Sequence, residues 1–158
     1  PIESGFNYAF NKTQKIQPSD SDIDINENNK LICKIEDLKN LIDDPKSIIL
    51  DTRSLDEYTG ANSRGNKRIG HVPGSVNIEW LEFIDNNNNN KFRSQSEIKN
   101  ILQKKNITPD KKITTYWQGG IRAAHVFVVL QLLGYKNISV YDASMAEYAN
   151  SDDTKLDA

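Results

Sequence analysis

Four short runs of apolar and β-branched residues recur along the chain, and patterns of helical period fill the intervals between them. The runs are Ser47–Asp51, Ser75–Ile78, Lys112–Tyr116 and Ile138–Tyr141. Ahead of the first, Ile35, Leu38, Leu41 and Ile42 repeat at helical spacing, and Pro45 closes that helix. Leu55–Tyr58 reads as one helical turn. Ser94-Gln95-Ser96-Glu97 is a capping box: the Ser94 hydroxyl can accept from the amide three residues on, and Glu97 can reach back. The helix it opens runs to about Lys105. Ile121 to Leu133 forms the next helix, which Gly134 can end in the left-handed conformation. Strands alternating with helices predict an α/β fold, a short parallel sheet sandwiched between helices. The helix from Ile121 is apolar on nearly all sides, so it is expected to be buried against the sheet and its neighbours.

The remaining segments set the organisation. Residues 1–29 are polar without sustained periodicity and read as an arm or interdomain linker. Residues 30–150 hold the alternating elements and form one domain, and 151–158 form a C-terminal tail. Four glycines and a proline in residues 60–74 predict a loop, and Asn86–Asn90 a surface loop. The chain opens at Pro1 without a signal-like stretch and reads as a fragment or a processed product, which bounds its compartment weakly towards the cytoplasm. Its 158 residues suit a single hydrophobic core, and a net charge of −2 gives no field to attract nucleic acid or an anionic membrane. The longest apolar run, Ala123 to Leu133, is too short and too interrupted for a membrane span. One cysteine, Cys33, excludes an internal disulfide and any paired-cysteine redox motif. With only His71 and His125 besides, no metal site is expected, and no cofactor. Three Asn-x-Ser/Thr patterns, at Asn11, Asn106 and Asn137, are what chance supplies in a chain with 18 asparagines.

Tyr116-Trp117-Gln118-Gly119-Gly120-Ile121-Arg122 stands where a strand hands over to a helix. In open parallel sheets, ligands bind beyond the carboxyl ends of strands. Gly119 and Gly120 permit positive φ and close backbone approach. The loop can aim successive amides inward, the helix adds its positive end, and Arg122 adds a fixed charge with a two-pronged donor. Gln118, Gly119, Gly120, Ile121 and Arg122 are thus candidate anion-binding residues. Asp51 and Arg53, at a neighbouring strand end, are candidate supporting residues that more simply tie strand to loop. Trp80, Tyr116 and His125 are expected in or at the edge of the core, His71 in a turn, and Cys33 as a small buried residue.

Longer stretches sharpen the reading. Leu50-Asp51-Thr52-Arg53-Ser54-Leu55-Asp56-Glu57-Tyr58-Thr59-Gly60 is followed by Arg68-Ile69-Gly70-His71-Val72-Pro73-Gly74-Ser75-Val76-Asn77-Ile78-Glu79-Trp80. With the glycine loop and Leu132-Leu133-Gly134-Tyr135-Lys136-Asn137-Ile138-Ser139-Val140-Tyr141-Asp142, these stand in the order and spacing of a rhodanese domain. The chain resembles that family over roughly residues 31–150, and is most similar to the C-terminal, catalytic half of tandem thiosulfate sulfurtransferases. The resemblance implies a rhodanese-like fold. It also implies chemistry in which a cysteine thiolate at the first loop position takes a sulfane sulfur from thiosulfate or mercaptopyruvate and passes it on. That position is Trp117 here. An indole N–H is a donor without a nucleophilic lone pair, so it cannot form a persulfide. Its bulk makes it either a plug for the pocket or an exposed recognition ring. Cys33 lies outside any glycine-rich or basic surroundings and is not a substitute.

The pattern departs elsewhere. The family commonly has Asp-Gly-Ser-Trp after the last strand; this chain has Asp142-Ala143-Ser144-Met145. An arginine that some members place near position 57 is Glu57, an acid that others share, and no tandem domain is present in residues 1–158. Four residues separate Trp117 from Arg122, one fewer than the Cys-x5-Arg loop of phosphatases. The leading expectation is a rhodanese-like domain inactive in sulfur transfer that acts as a binding or regulatory module. A small anion such as thiosulfate or sulfate, a protein partner, or a second rhodanese domain would be its ligand. An active sulfurtransferase is the alternative, should position 117 be cysteine in the native protein or a second domain supply the site. A purely structural domain is the third reading.

Overall fold

The computed structural model describes residues 29–158. After a 3-10 turn at Asn29–Leu31 come α1 (Ile35–Leu41), β1 (Ser47–Asp51), α2 (Leu55–Tyr58) and β2 (Val76–Asn77). A second 3-10 turn, Trp80–Phe83, leads into β3 (Ile84–Asp85) and β4 (Lys91–Phe92). Then follow α3 (Gln95–Lys104), β5 (Lys112–Tyr116), α4 (Ile121–Leu132), β6 (Ile138–Val140) and α5 (Ser144–Tyr148). The four-stranded sheet runs in the order β2-β1-β5-β6. All its pairings are parallel, with Leu50 opposite Thr115 and Val76, and Thr115 opposite Val140. The expected α/β layering is what forms.

Period-two alternation sends side chains to two separate cores. Leu50, Ile113 and Ile138 face a layer built with Phe83, Ile98, Leu102, Val126 and Leu130, beneath α3 and α4. Ile49 and Tyr116 face the opposite layer with Leu38, Leu41, Met145 and Tyr148, beneath α1 and α5. The expected Ser94 cap forms, and the structure adds a second at Ser54. Ser94 Oγ accepts from the Glu97 amide at 3.3 Å while the Ser94 amide donates to Glu97 Oε2 at 3.0 Å. Ser54 and Glu57 repeat the arrangement at α2.

Two features add to the sequence expectation and a third departs from it. The Asn86–Asn90 run is the exposed turn of a β3–β4 antiparallel hairpin, a pairing hidden in sequence because each strand is two residues long. Residues 144–148 are helical, following a Ser144 held at φ +53°. The expectation that α4 is buried on nearly all sides is corrected. Ala123, Val126, Val129 and Leu130 face the core, but Ile121, Val128 and Leu132 are 78%, 43% and 65% exposed. One sheet face covers only one side of a helix, and no described element lies over the other side of α4.

The C-terminal tail is docked. Arg68 donates from Nη1 to the Thr154 carbonyl at 2.6 Å, from Nε to that of Ala149 at 3.3 Å and from Nη2 to that of Tyr148 at 3.0 Å, and also reaches Ser151 O and Thr154 Oγ1. His71 and Asp157 exchange backbone hydrogen bonds of 2.7 and 3.0 Å. The residues 1–28 of the expected arm lie outside the described residues. No described helix is long and apolar enough to cross a membrane.

Candidate functional site

The loop between β5 and α4 leaves the sheet at the carboxyl end of a central strand, where its backbone is anchored on both sides. Thr52 donates to the Tyr116 carbonyl through N and Oγ1, both at 2.9 Å. Met145 N donates to Trp117 O at 3.0 Å and Ala146 N to Gln118 O at 2.9 Å. The hydroxyl of Ser144, fully buried, accepts from the amides of both Trp117 and Gly120 at 3.1 Å and donates to Tyr141 O at 2.8 Å. Ser144 is therefore the pin that sets the loop's curl. Its signal in the sequence is the serine that Asp142-Ala143-Ser144-Met145 shares with the family's Asp-Gly-Ser-Trp.

Of the two loop glycines, only Gly120 uses its freedom. Its φ is +84°, and a Cβ there would collide with the carboxylate and carbonyl of Asp142. Gly119 has no positive φ and faces open space. The amides of Gln118, Gly119, Arg122 and Ala123 hold no partner among the described residues. They are the donors the loop and the first turn of α4 can offer an anion. Ser144→Ala leaves two further amides without an acceptor. It is expected to cost about 1–3 kcal/mol in chemical denaturation.

The side chains expected at the cradle are placed differently. Gln118 does not reach into it: its amide pairs with that of Asn66 through two hydrogen bonds of 2.8 and 3.0 Å, and Asn150 Nδ2 adds a third contact to Asn66 Oδ1 at 3.2 Å. The Arg122 guanidinium lies 4.4 Å from the Trp117 ring centre and 5.0 Å from that of Trp80. It stacks on aromatic faces, an arrangement suited to a planar, weakly hydrated cation. Arg64 approaches the Trp117 ring at 5.9 Å while pairing with Glu57 at 3.4 Å. Trp117 is thus half-buried between cations, with its indole nitrogen shielded and without a hydrogen-bond partner. Burial pushes the nearby Glu79 carboxyl above its ordinary range, and the Glu57 charge adds to this while Arg122 opposes it.

Asp51 and Arg53 form the structural pair that the sequence allowed. Both are buried; Arg53 Nη2 donates to Asp51 Oδ2 at 2.6 Å and to the Gly70 carbonyl at 2.9 Å, and Nε reaches both carboxylate oxygens at 3.0 and 3.1 Å. Their hydrogen bonds fasten the 70–77 loop to the sheet rather than to residues 117–122. His71 donates from Nδ1 to the Tyr58 carbonyl at 2.9 Å and stacks on the Tyr58 ring. His125 packs edge-on to Trp80, and burial pushes its imidazole down from the ordinary value. Cys33 is buried, and its thiol is pushed up to about 11 by burial and by Asp37. A thiol so placed is almost wholly protonated near neutrality and a poor nucleophile. No group of three or more metal-ligating side chains gathers among the described residues.

Residues 34–151 match the family profile described as the rhodanese-like domain. Similar curated proteins include the thiosulfate sulfurtransferase of Corynebacterium glutamicum, 34% identical over 110 residues covering 65% of this chain and 35% of that protein. The thiosulfate sulfurtransferase of Pseudomonas aeruginosa is 33% identical over 109 residues, covering 69% and 39%. The sulfur carrier protein TtuD of Thermus thermophilus is 34% identical over 113 residues, covering 66% and 39%. The chain thus spans 35–39% of the length of these relatives. Among solved structures, the anaerobic ergothioneine biosynthesis enzyme of Chlorobium limicola in complex with trimethyl histidine superposes with a TM-score of 0.75 at 24% identity, over 82% of this chain and 32% of that one. That likeness concerns the fold alone.

Proposed function

Because this chain belongs to the rhodanese-like domain family, we propose that it is a rhodanese-like sulfurtransferase domain that has lost its nucleophile and acts as a binding or regulatory module. The observation that carries this reading is Trp117. By resemblance it stands where the family has its sulfur-bearing cysteine, and its ring is stacked on Arg122 at the loop's mouth. The one sulfhydryl in the chain, Cys33, is buried in the layer beneath α1 and α5, and burial pushes its thiol up. What the loop keeps is a set of backbone donors and a positive helix end, which favour a small oxyanion or the carboxylate of a partner's acidic side chain. Approach of such a group calls for Arg122 to swing off the indole, so binding and side-chain rearrangement are coupled.

Sulfate and thiosulfate titrations test the reading. Binding to the folded form is expected to raise the melting temperature in a dose-dependent way, by the equivalent of about 2.7 kcal/mol at a hundredfold excess over Kd. Thiosulfate and cyanide together are expected to give no enzyme-dependent thiocyanate. Thiocyanate formation overturns the loss of activity, and a flat melting temperature at saturating anion overturns the binding role. The short span of the relatives covered by this chain supports one second reading, in which a further domain of a longer protein supplies a competent cysteine. Sulfur transfer by the longer protein but not by residues 1–158 would favour it.

A further inference from the structure

The outward face of α4 carries Ile121, Ala124, Val128 and Leu132, all exposed. From Ala123 to Tyr135 the chain has no charged residue, in a molecule 27% charged. An exposed helix ordinarily turns a polar, charged side to water, so this face has the character of a covered one. At its C-terminal end Phe92, Ile98, Val129, Leu132 and Leu133, with Arg93 at the rim, line a groove of about 180 Å³. A cavity of about 150 Å³ holds benzene, so the groove has room for a phenyl ring.

We infer that the occupant is the chain's own N-terminal segment, docking through Phe6 and Phe10. Two of the chain's five phenylalanines lie there, with Ile2 and Ala9 in the same ten residues. The described chain begins at Asn29–Leu31, which packs on β6, and Ile32 bridges to Val140 of that strand. β6 is the edge strand that α4 itself covers. The approach is therefore on the correct edge of the sheet. Eighteen residues lie between Phe10 and Asn29, and a chain of that length spans at most about 60 Å. α4, at 12 residues, is about 18 Å long, so Phe10 can reach the groove. Tethering at that length gives an effective concentration near the millimolar range, so two aromatic anchors suffice without a large interface. A second copy of the chain would have to cover the same face without that advantage.

Disulfide trapping in the full chain tests this, in a Cys33→Ala background. Phe10→Cys or Phe6→Cys is combined with Leu132→Cys. The control combines each with Glu36→Cys, an exposed position on α1, on the other side of the sheet. At least one Leu132 pair is expected to close within a single chain about tenfold faster than its Glu36 counterpart. The double variant Phe6→Ala with Phe10→Ala, having an unchanged far-ultraviolet spectrum, is expected to bind an apolar dye several-fold more strongly. Closure between two chains would assign the face to a second copy. Closure no faster than the control, or unchanged dye binding, would leave it to some other partner. Any of these three results overturns the inference.

Discussion

Trp117→Cys is expected to create sulfur transfer, raising thiocyanate formation at least ~10²-fold over the unmodified background. The thiolate would attack the outer sulfur of thiosulfate, forming a sulfur–sulfur bond while sulfite departs with the electron pair. Cyanide would then take that sulfur and return the thiolate. Each step places negative charge where the loop has donors to offer. The amides of Gln118, Gly119, Arg122 and Ala123 have no partner among the described residues, and Ser144 already fixes the curl from below. Removing the indole also releases Arg122 from one of its two stacking partners, leaving Trp80. Intact mass after thiosulfate treatment should show one added sulfur atom, lost on addition of cyanide. Trp117→Ala is the control: it opens the mouth equally but supplies no thiolate, and should stay inactive. A folded Trp117→Cys protein that never gains sulfur would mean the backbone donors do not converge on that position.

Arg53→Leu is expected to lower stability by about 3–5 kcal/mol, because it strands the Asp51 carboxylate in a site with no solvent access. For a domain of this size that is a fall of roughly 10 °C or more in melting temperature. The loss has two parts. Asp51 loses its guanidinium donors, keeping the Arg53 backbone amide, and the Gly70 carbonyl loses its own donor. Asp51→Asn combined with Arg53→Leu should be less damaging than Arg53→Leu alone, since a neutral amide is cheaper to bury than an unpaired charge. Urea denaturation of the unmodified protein, Asp51→Asn, Arg53→Leu and the double variant gives the coupling directly. A fall below about 1 kcal/mol for Arg53→Leu would show that water reaches the pair.

Much of the architecture was legible because local chemistry and burial agree. β1 and β5 carry alternating faces into two cores, and Ser94-Gln95-Ser96-Glu97 starts α3 where a capping box should. The candidate site was legible as a backbone loop but not as a set of side chains. Gln118 was read as a ligand contact, yet its partner Asn66 lies 52 residues away, and no periodicity links them. Arg122 was read as a fixed cation facing the cradle. Its stacking on Trp80 and Trp117 depends on how α4 meets the 3-10 turn at Trp80–Phe83, a tertiary relation. α4 itself misled because an apolar stripe records only that water is unwelcome, not which neighbour excludes it.

The acceptors gathered by Arg68 extend from Tyr148 to Thr154, and the His71 bridge reaches Asp157. The family profile stops at residue 151. Excision at that homology-based boundary would amputate the outer half of the arginine's coordination and unfasten the segment bearing Asn66, which is the brace behind Gln118. An expression clone trimmed to the profile would thus carry a defect of the experimenter's making, felt some distance away at the rim of the glycine loop.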